Sequence, residues 1–121
     1  MDDYQLIENY VERGDEEAFG ELVHRHLPLV LGVAKRLVHD HSLAEDVCQQ
    51  TFTALVRNLQ RKKTIIHLRS WLYATARQQA IAFIRSESRR KAREQRATTA
   101  EMKLVNSEPS SMETEAALDE A

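Results

Sequence analysis

The stretch Ser42-Leu43-Ala44-Glu45-Asp46-Val47-Cys48-Gln49-Gln50-Thr51-Phe52-Thr53-Ala54-Leu55-Val56-Arg57-Asn58-Leu59 decides the fold class. Ala44, Val47, Cys48, Phe52 (or Thr51), Leu55 and Leu59 recur at steps of three and four, which lays one apolar face along an α-helix. Ser42 followed by Glu45 matches a capping box, a pairing that satisfies two free backbone donors at a helix start. The helix is therefore predicted from Ser42 to about Leu59.

Working outward toward the N-terminus, Asp40-His41-Ser42 reads as a tight connection. Before it, Phe19, Leu22, Val23, Leu27, Val30, Ala34, Leu37 and Val38 form a second helical stripe ending near His39. Pro28 sits inside that stripe, so a kink or break is predicted at residues 26–28. Asp15 is placed to cap this helix and Gly14 to end the one before it. That first helix, residues 2–13, puts Leu6, Ile7, Tyr10 and Val11 on one face.

Toward the C-terminus, residues 60–66 form a basic connection with weak helical signal. A fourth helix is predicted from His67 or Leu68 to about Arg96, with Leu68, Leu72, Thr75, Ala76, Ala80 and Phe83 on its apolar face. Beyond Ile84 the stripe stops. Residues 86–95 are polar all round and would need support from a partner or from DNA. From Ala97 the chain turns Ser/Thr/Glu/Ala-rich, and Asn106-Ser107-Glu108-Pro109-Ser110-Ser111 is linker-like. The prediction is an all-α protein: a compact bundle of about four helices over residues 1–96 and a flexible, mobile acidic tail over residues 97–121.

Composition agrees. The 121 residues are 42% hydrophobic and 30% charged, enough for a modest core and too apolar for a wholly disordered chain. Only 3 Gly and 2 Pro, with 1 Trp, 3 Tyr and 3 Phe, argue against a many-stranded sandwich or barrel. The net charge of −2 hides a division along the chain. Residues 1–56 carry a net −7 and residues 97–121 a net −5, while residues 57–96 carry a net +10. That basic block holds Arg57, Arg61, Lys62, Lys63, Arg69, Arg77, Arg85, Arg89, Arg90, Lys91, Arg93 and Arg96, a candidate phosphate-binding surface.

Several function classes fall away. There is no glycine-rich phosphate cradle and no Ser/His/Asp arrangement in a sharp turn. His24/His26 and His39/His41 are spaced i, i+2, which puts their rings on different helix faces, so no metal site is expected. Cys48, the single cysteine, cannot form an internal disulfide. No apolar run is long enough to span a membrane, and the acidic N-terminus lacks the layout of a secretion signal. The expectations are no enzyme, no cofactor, no membrane and a cytoplasmic location.

Two helices carry positive signals. On the fourth, Trp71, Gln78 and Arg85 are seven apart and drift by only about 20° per step. A Trp for stacking, an amide for a base edge and an Arg for phosphate suit a single-strand reader. Periodicity leaves open whether Trp71 is simply core. Arg61, Lys62 and Lys63 precede this stripe, and Arg89, Arg90, Lys91 and Arg93 follow it. On the third helix, Asp46, Gln49 and Gln50 share a polar face that suits a basic partner protein.

Taken in order, Gly14-Asp15…Ala18-Phe19…Leu22-Val23-x-Arg25-His26, Ala44-Glu45-Asp46-Val47-x-Gln49-x-Thr51-Phe52, Trp71-Leu72-Tyr73-x-x-Ala76-Arg77 and Arg89-Arg90 resemble region 2 of bacterial RNA polymerase sigma factors. Within that family they look most like the extracytoplasmic-function (ECF) group. The likeness covers about residues 5–95. It implies a helical transcription-initiation domain that docks on the β′ clamp helices of core RNA polymerase. It also implies recognition and melting of the promoter −10 element, with a base flipped from the non-template strand.

Carried over by position, Asp46, Gln49 and Gln50 correspond to the polymerase-docking helix, where the family often has Glu in place of Gln50. Trp71 and Tyr73 fall in the segment associated with melting, and Gln78 where relatives place a base-selecting side chain, often Asn. Residues 60–66, Gln-Arg-Lys-Lys-Thr-Ile-Ile, correspond to the loop that shapes the base pocket, here without the Gly, Asp or Pro often found there. The DNA-contacting set is then Arg61, Lys62, Lys63, Trp71, Tyr73, Arg77, Gln78, Arg85, Arg89 and Arg90. A regulatory partner of the anti-sigma kind is common in the family, though no residue here identifies one. Nothing resembles the family's second domain, region 4, so the chain is expected to be a fragment of a longer factor. Two rival functions remain: a polymerase-independent, helical single-stranded nucleic-acid-binding protein, and a pure protein-interaction bundle.

Overall fold

The computed structural model describes residues 1–106, with side chains as far as Thr99. Its elements are α1 (Asp3–Arg13), α2 (Glu16–Val38), α3 (His41–Gln60) and α4 (Leu68–Asn106), and no strand occurs among the described residues. Two units divide the chain, Met1–Phe83 and a second beginning at Ile84. The first holds α1 to α3 and the start of α4.

Local chemistry starts and stops these helices. Asp2 caps α1: its carboxylate accepts from the Gln5 backbone N–H at 2.8 Å, and the Gln5 side chain accepts from the Asp2 N–H at 2.9 Å. Gly14 ends α1 at φ 65°, a left-handed conformation that costs glycine nothing. Asp15 then caps α2 by accepting from the N–H groups of Glu17 and Ala18.

Three local expectations are corrected. First, of the kink or break expected at residues 26–28, the break does not occur: α2 runs unbroken through Pro28. Pro28 and His24, whose carbonyl loses its partner, both lie on the exposed side, where water can replace the missing bond. Leu22, His26 and Val30, at four-residue steps on the buried side, hold the helix in register through it. Second, the N-cap of α3 is Asp40 and not Ser42. The Asp40 carboxylate accepts from Leu43 N–H at 3.0 Å, and its carbonyl accepts from Ala44 N–H at 2.8 Å. Ser42 therefore lies inside the first turn, and Glu45 pairs with His41 at 2.7 Å instead of closing a capping box. Third, α4 continues past Arg96 to Asn106. Ala97, Ala100, Glu101, Met102, Lys103 and Leu104 are strong helix formers, and their propensity outweighs the lost apolar period. Residues 107–121, most of the predicted acidic tail, lie outside the described residues.

The core of the first unit joins Leu6 of α1, Leu22, Val30 and Ala34 of α2, Val47, Leu55 and Leu59 of α3, and Leu68, Leu72, Ala76 and Ala80 of α4. Thr51 and Phe52 are both buried, so the alternative left open between them resolves to both. Thr51 is tolerated because its hydroxyl donates to the Val47 carbonyl at 2.7 Å. Tyr10 and Phe19 pack with ring centroids 4.9 Å apart, joining α1 to α2. In the second unit no described residue from Ile84 to Thr99 is buried. No helix among the described residues is long and apolar enough to cross a membrane.

A polar clasp also ties α1 to α2. Buried His26 donates from Nε2 to Asp3 Oδ2 at 2.9 Å, and Arg25 donates to Asp3 Oδ1 at 3.1 Å. The other ring nitrogen of His26 is buried with no hydrogen-bond partner among the described residues, which leaves Asp3 as the polar contact of that ring. Asp3→Ala is expected to cost about 1–3 kcal/mol, because it strands a buried imidazole. Urea denaturation of the two chains measures this.

Candidate functional site

On α3, Asp46 points away from the core. At 100° per residue, Val47, Thr51, Leu55 and Leu59 centre on the side of the helix roughly 180° from Asp46. Gln49 and Gln50 lie within roughly 60° of Asp46 on either side. All three are exposed, and among the described residues no ion pair engages Asp46. The face is thus a single carboxylate flanked by two amides, on a helix whose other side is locked into the core. Cys48, behind this face, is 6% exposed. Burial first, and then the negative charge of Glu45, push its thiol above the ordinary range, with Lys35 opposing weakly. Burial and a raised pKa both disfavour the reactive thiolate.

The connection at residues 61–67 is built from backbone bonds. Lys63 N–H donates to the Asn58 carbonyl and Lys62 N–H to the Leu59 carbonyl, a Schellman closure of α3. Lys62 occupies the left-handed position at φ 56°, where glycine is the unstrained choice. Arg61, Lys62 and Lys63 are exposed together on this turn. Lys62→Gly is expected to raise stability by up to about 1 kcal/mol, because glycine adopts this conformation without strain. A higher melting temperature would be the signature.

On α4 the nominated side chains do not share one face. Trp71 and Gln78 lie on one flank of the buried stripe, while Tyr73 and Arg77 lie on the other, with Tyr73 roughly 160° round from Trp71. Trp71 is half-buried and packs against the core cluster, so one edge is structural and the rest is available. Gln78 and Arg77 are exposed, and Tyr73 is 47% exposed.

Arg85, Arg89 and Arg90 belong to the second unit. There the Arg90 guanidinium is engaged by Glu87 at 2.9 Å and Glu94 at 2.8 Å, and Arg89 Nε donates to the Arg85 carbonyl at 3.4 Å. Exposed pairs of this kind are weak, so a competing anion can displace them.

One residue escaped the sequence reading. Tyr4 of α1 donates its hydroxyl to the Ile66 carbonyl, across the chain from residue 4 to the end of the basic connection. The available signal was its place at i, i+3, i+7 with Ile7 and Val11.

Sigma-70 region 2 matches residues 22–90 of the chain. The chain is 39% identical over 74 residues to the RNA polymerase sigma-H factor of Pseudomonas aeruginosa, covering 61% of this chain and 38% of that protein. It is 34% identical over 100 residues to the RNA polymerase sigma factor CarQ of Myxococcus xanthus, covering 80% of this chain and 58% of that protein. The chain therefore spans less than two thirds of the length of either relative. No solved structure matches.

Proposed function

This chain belongs to the Sigma-70 region 2 family, and from that premise we propose that it is a transcription-initiation module. It joins core RNA polymerase through α3 and, once assembled, captures an unpaired promoter base on α4. Asp46, Gln49 and Gln50 meet the β′ clamp helices. Arg61, Lys62, Lys63 and Arg77, with Arg85, Arg89 and Arg90 of the second unit, hold phosphates and carry no sequence information. Trp71 stacks on the flipped base of the non-template −10 strand, Gln78 reads its edge, and Tyr73 contacts DNA from the opposite flank. The work is binding, and the chain is not an enzyme. It acts where polymerase and DNA meet, in the cytoplasm.

The supporting observation is that the family match, from residue 22 to residue 90, contains both polar surfaces: the α3 face opposite the core and the Trp71–Gln78 flank of α4. Magnitudes favour this division of labour. Extracting a base costs a few kcal/mol. Stacking returns about 1–3 kcal/mol and an amide–base contact about 1–3 kcal/mol. The two together roughly balance the extraction, so net affinity rests on the salt-sensitive phosphate contacts and on polymerase. The isolated chain should bind duplex DNA poorly, and salt should weaken what binding there is.

The test is co-purification of the chain with core polymerase, followed by run-off transcription. Association with core and promoter-dependent transcripts are the expected result. No association, together with tight oligonucleotide binding in the absence of polymerase, would overturn the proposal in favour of a general single-strand binder. Association with some other protein and no crosslink from Trp71 or Gln78 to promoter DNA would point to an interaction bundle.

A further inference from the structure

We propose that Tyr4 is a positioning residue for promoter-base selection: from α1, its hydroxyl holds the Ile66 carbonyl and so sets the conformation of the 61–67 connection. This rests on the reading of that connection as a wall of the base pocket. Tyr4 itself touches no base in this scheme.

The connection has three anchors. The Schellman closure at Lys62 fixes its start. Ile65, 7% exposed, plugs into the core. Ile66 is different: its side chain is 67% exposed, so packing does not hold that residue. Its carbonyl bond to Tyr4 is what orients the peptide plane just before α4 begins. That plane directs the chain into the first turn of α4, where Trp71 N–H donates back to the His67 carbonyl at 3.0 Å. Rotation of the plane would change the entry into the helix that carries Trp71 and Gln78.

The Tyr4 side chain is 58% exposed, and what places it is the helix turn it stands on. Its neighbour Asp3 is clasped by Arg25 and buried His26 of α2, which pins the first turn of α1 to the bundle. Tyr4 and Ile7 line a groove of about 260 Å³ with Ile66 and Arg69, so the ring also backs the connection. A continuous path of contacts therefore runs from α2 through Asp3 and Tyr4 to the connection. Its middle links, Asp3 and Tyr4, precede the family match at 22–90, while both ends lie inside it. The helix before the matched region thus supplies the support for a surface inside it.

Tyr4→Phe removes the hydroxyl and keeps the ring. The bond is exposed, so the melting temperature and core-polymerase binding should change little. Pocket geometry is sensitive to displacements well under an ångström. The complex of the chain with core polymerase should therefore lose discrimination. The readout is the ratio of affinities for non-template −10 oligonucleotides that differ at one base, measured for wild type, Tyr4→Phe and Gln78→Ala. For Tyr4→Phe the ratio is expected to fall about three- to tenfold, a modest misplacement effect. An unchanged ratio for Tyr4→Phe alongside a reduced one for Gln78→Ala overturns the role of Tyr4 and leaves base reading intact. Equal weakening on every base also overturns it, since the bond would then serve the fold alone. No base preference in the wild-type complex removes the pocket reading, and the role of Tyr4 with it.

Discussion

Asp46→Lys is expected to weaken binding of the chain to core RNA polymerase by one to two orders of magnitude while leaving the fold intact. The second half of that statement follows from geometry. Asp46 lies opposite the buried side of α3, is exposed, and has no ion-pair partner among the described residues to lose. It also sits beyond the first turn of α3, where the helix dipole no longer rewards a carboxylate. Exposed substitutions of this kind fall within about 0.5 kcal/mol of neutral. The first half follows from placing a cation where a basic partner surface expects an anion. A lost charge pair and a new like-charge contact at a protein interface cost a few kcal/mol, and each 1.4 kcal/mol is about tenfold.

The charge dependence can be graded. Asp46→Asn should fall between wild type and Asp46→Lys. Gln50→Glu should tighten binding, because it adds a second carboxylate to a face that has one. Titration of labelled core polymerase at several salt concentrations measures all three. If Asp46→Lys binds as wild type does, α3 is not the docking helix, even if α4 still reads DNA.

Most of the fold was legible because its determinants are local. Gly14 and Asp15 act within one turn of where they stand, and the apolar stripes of α2 and α3 are visible as spacing. Errors arose where two local signals competed. Asp40 and Ser42 are both good caps, and spacing to Glu45 favoured the wrong one, since Glu45 had His41 available as a partner. Pro28 left a break open beside a kink because its exposure was not visible in one dimension. The candidate site was legible in identity but not in arrangement. The exposed Asp46 face follows directly from helical period. The placement of Trp71 and Tyr73 on opposite flanks of α4 needed the buried stripe to be located first. The bond from Tyr4 to Ile66 was invisible, because nothing in spacing reports a contact between residues so far apart in the chain.

Gln78→Ala should abolish most of the −10 base preference and little else. Gln78 is exposed on a helix interior position, and alanine is the better helix former, so stability should hold or rise slightly. No charge changes, so the salt dependence of DNA binding should keep its slope. The α3 face is untouched, so affinity for core polymerase should stay as it was. What disappears is an amide able to donate and accept at once along a base edge, a contact worth about 1–3 kcal/mol of discrimination. That converts to roughly a five- to 150-fold loss in the ratio between preferred and disfavoured base. Trp71→Ala provides the contrast. Trp71 is half-buried against the core and offers a face that stacks on any base. Its loss should lower stability and weaken opening on every promoter alike, leaving the preference ratio near wild type. Permanganate reactivity of the −10 strand, across promoters that vary one base, separates the two outcomes. If Gln78→Ala keeps the wild-type ratio, the reader must be sought elsewhere, and Arg77 or Tyr73 on the opposite flank becomes the next side chain to replace.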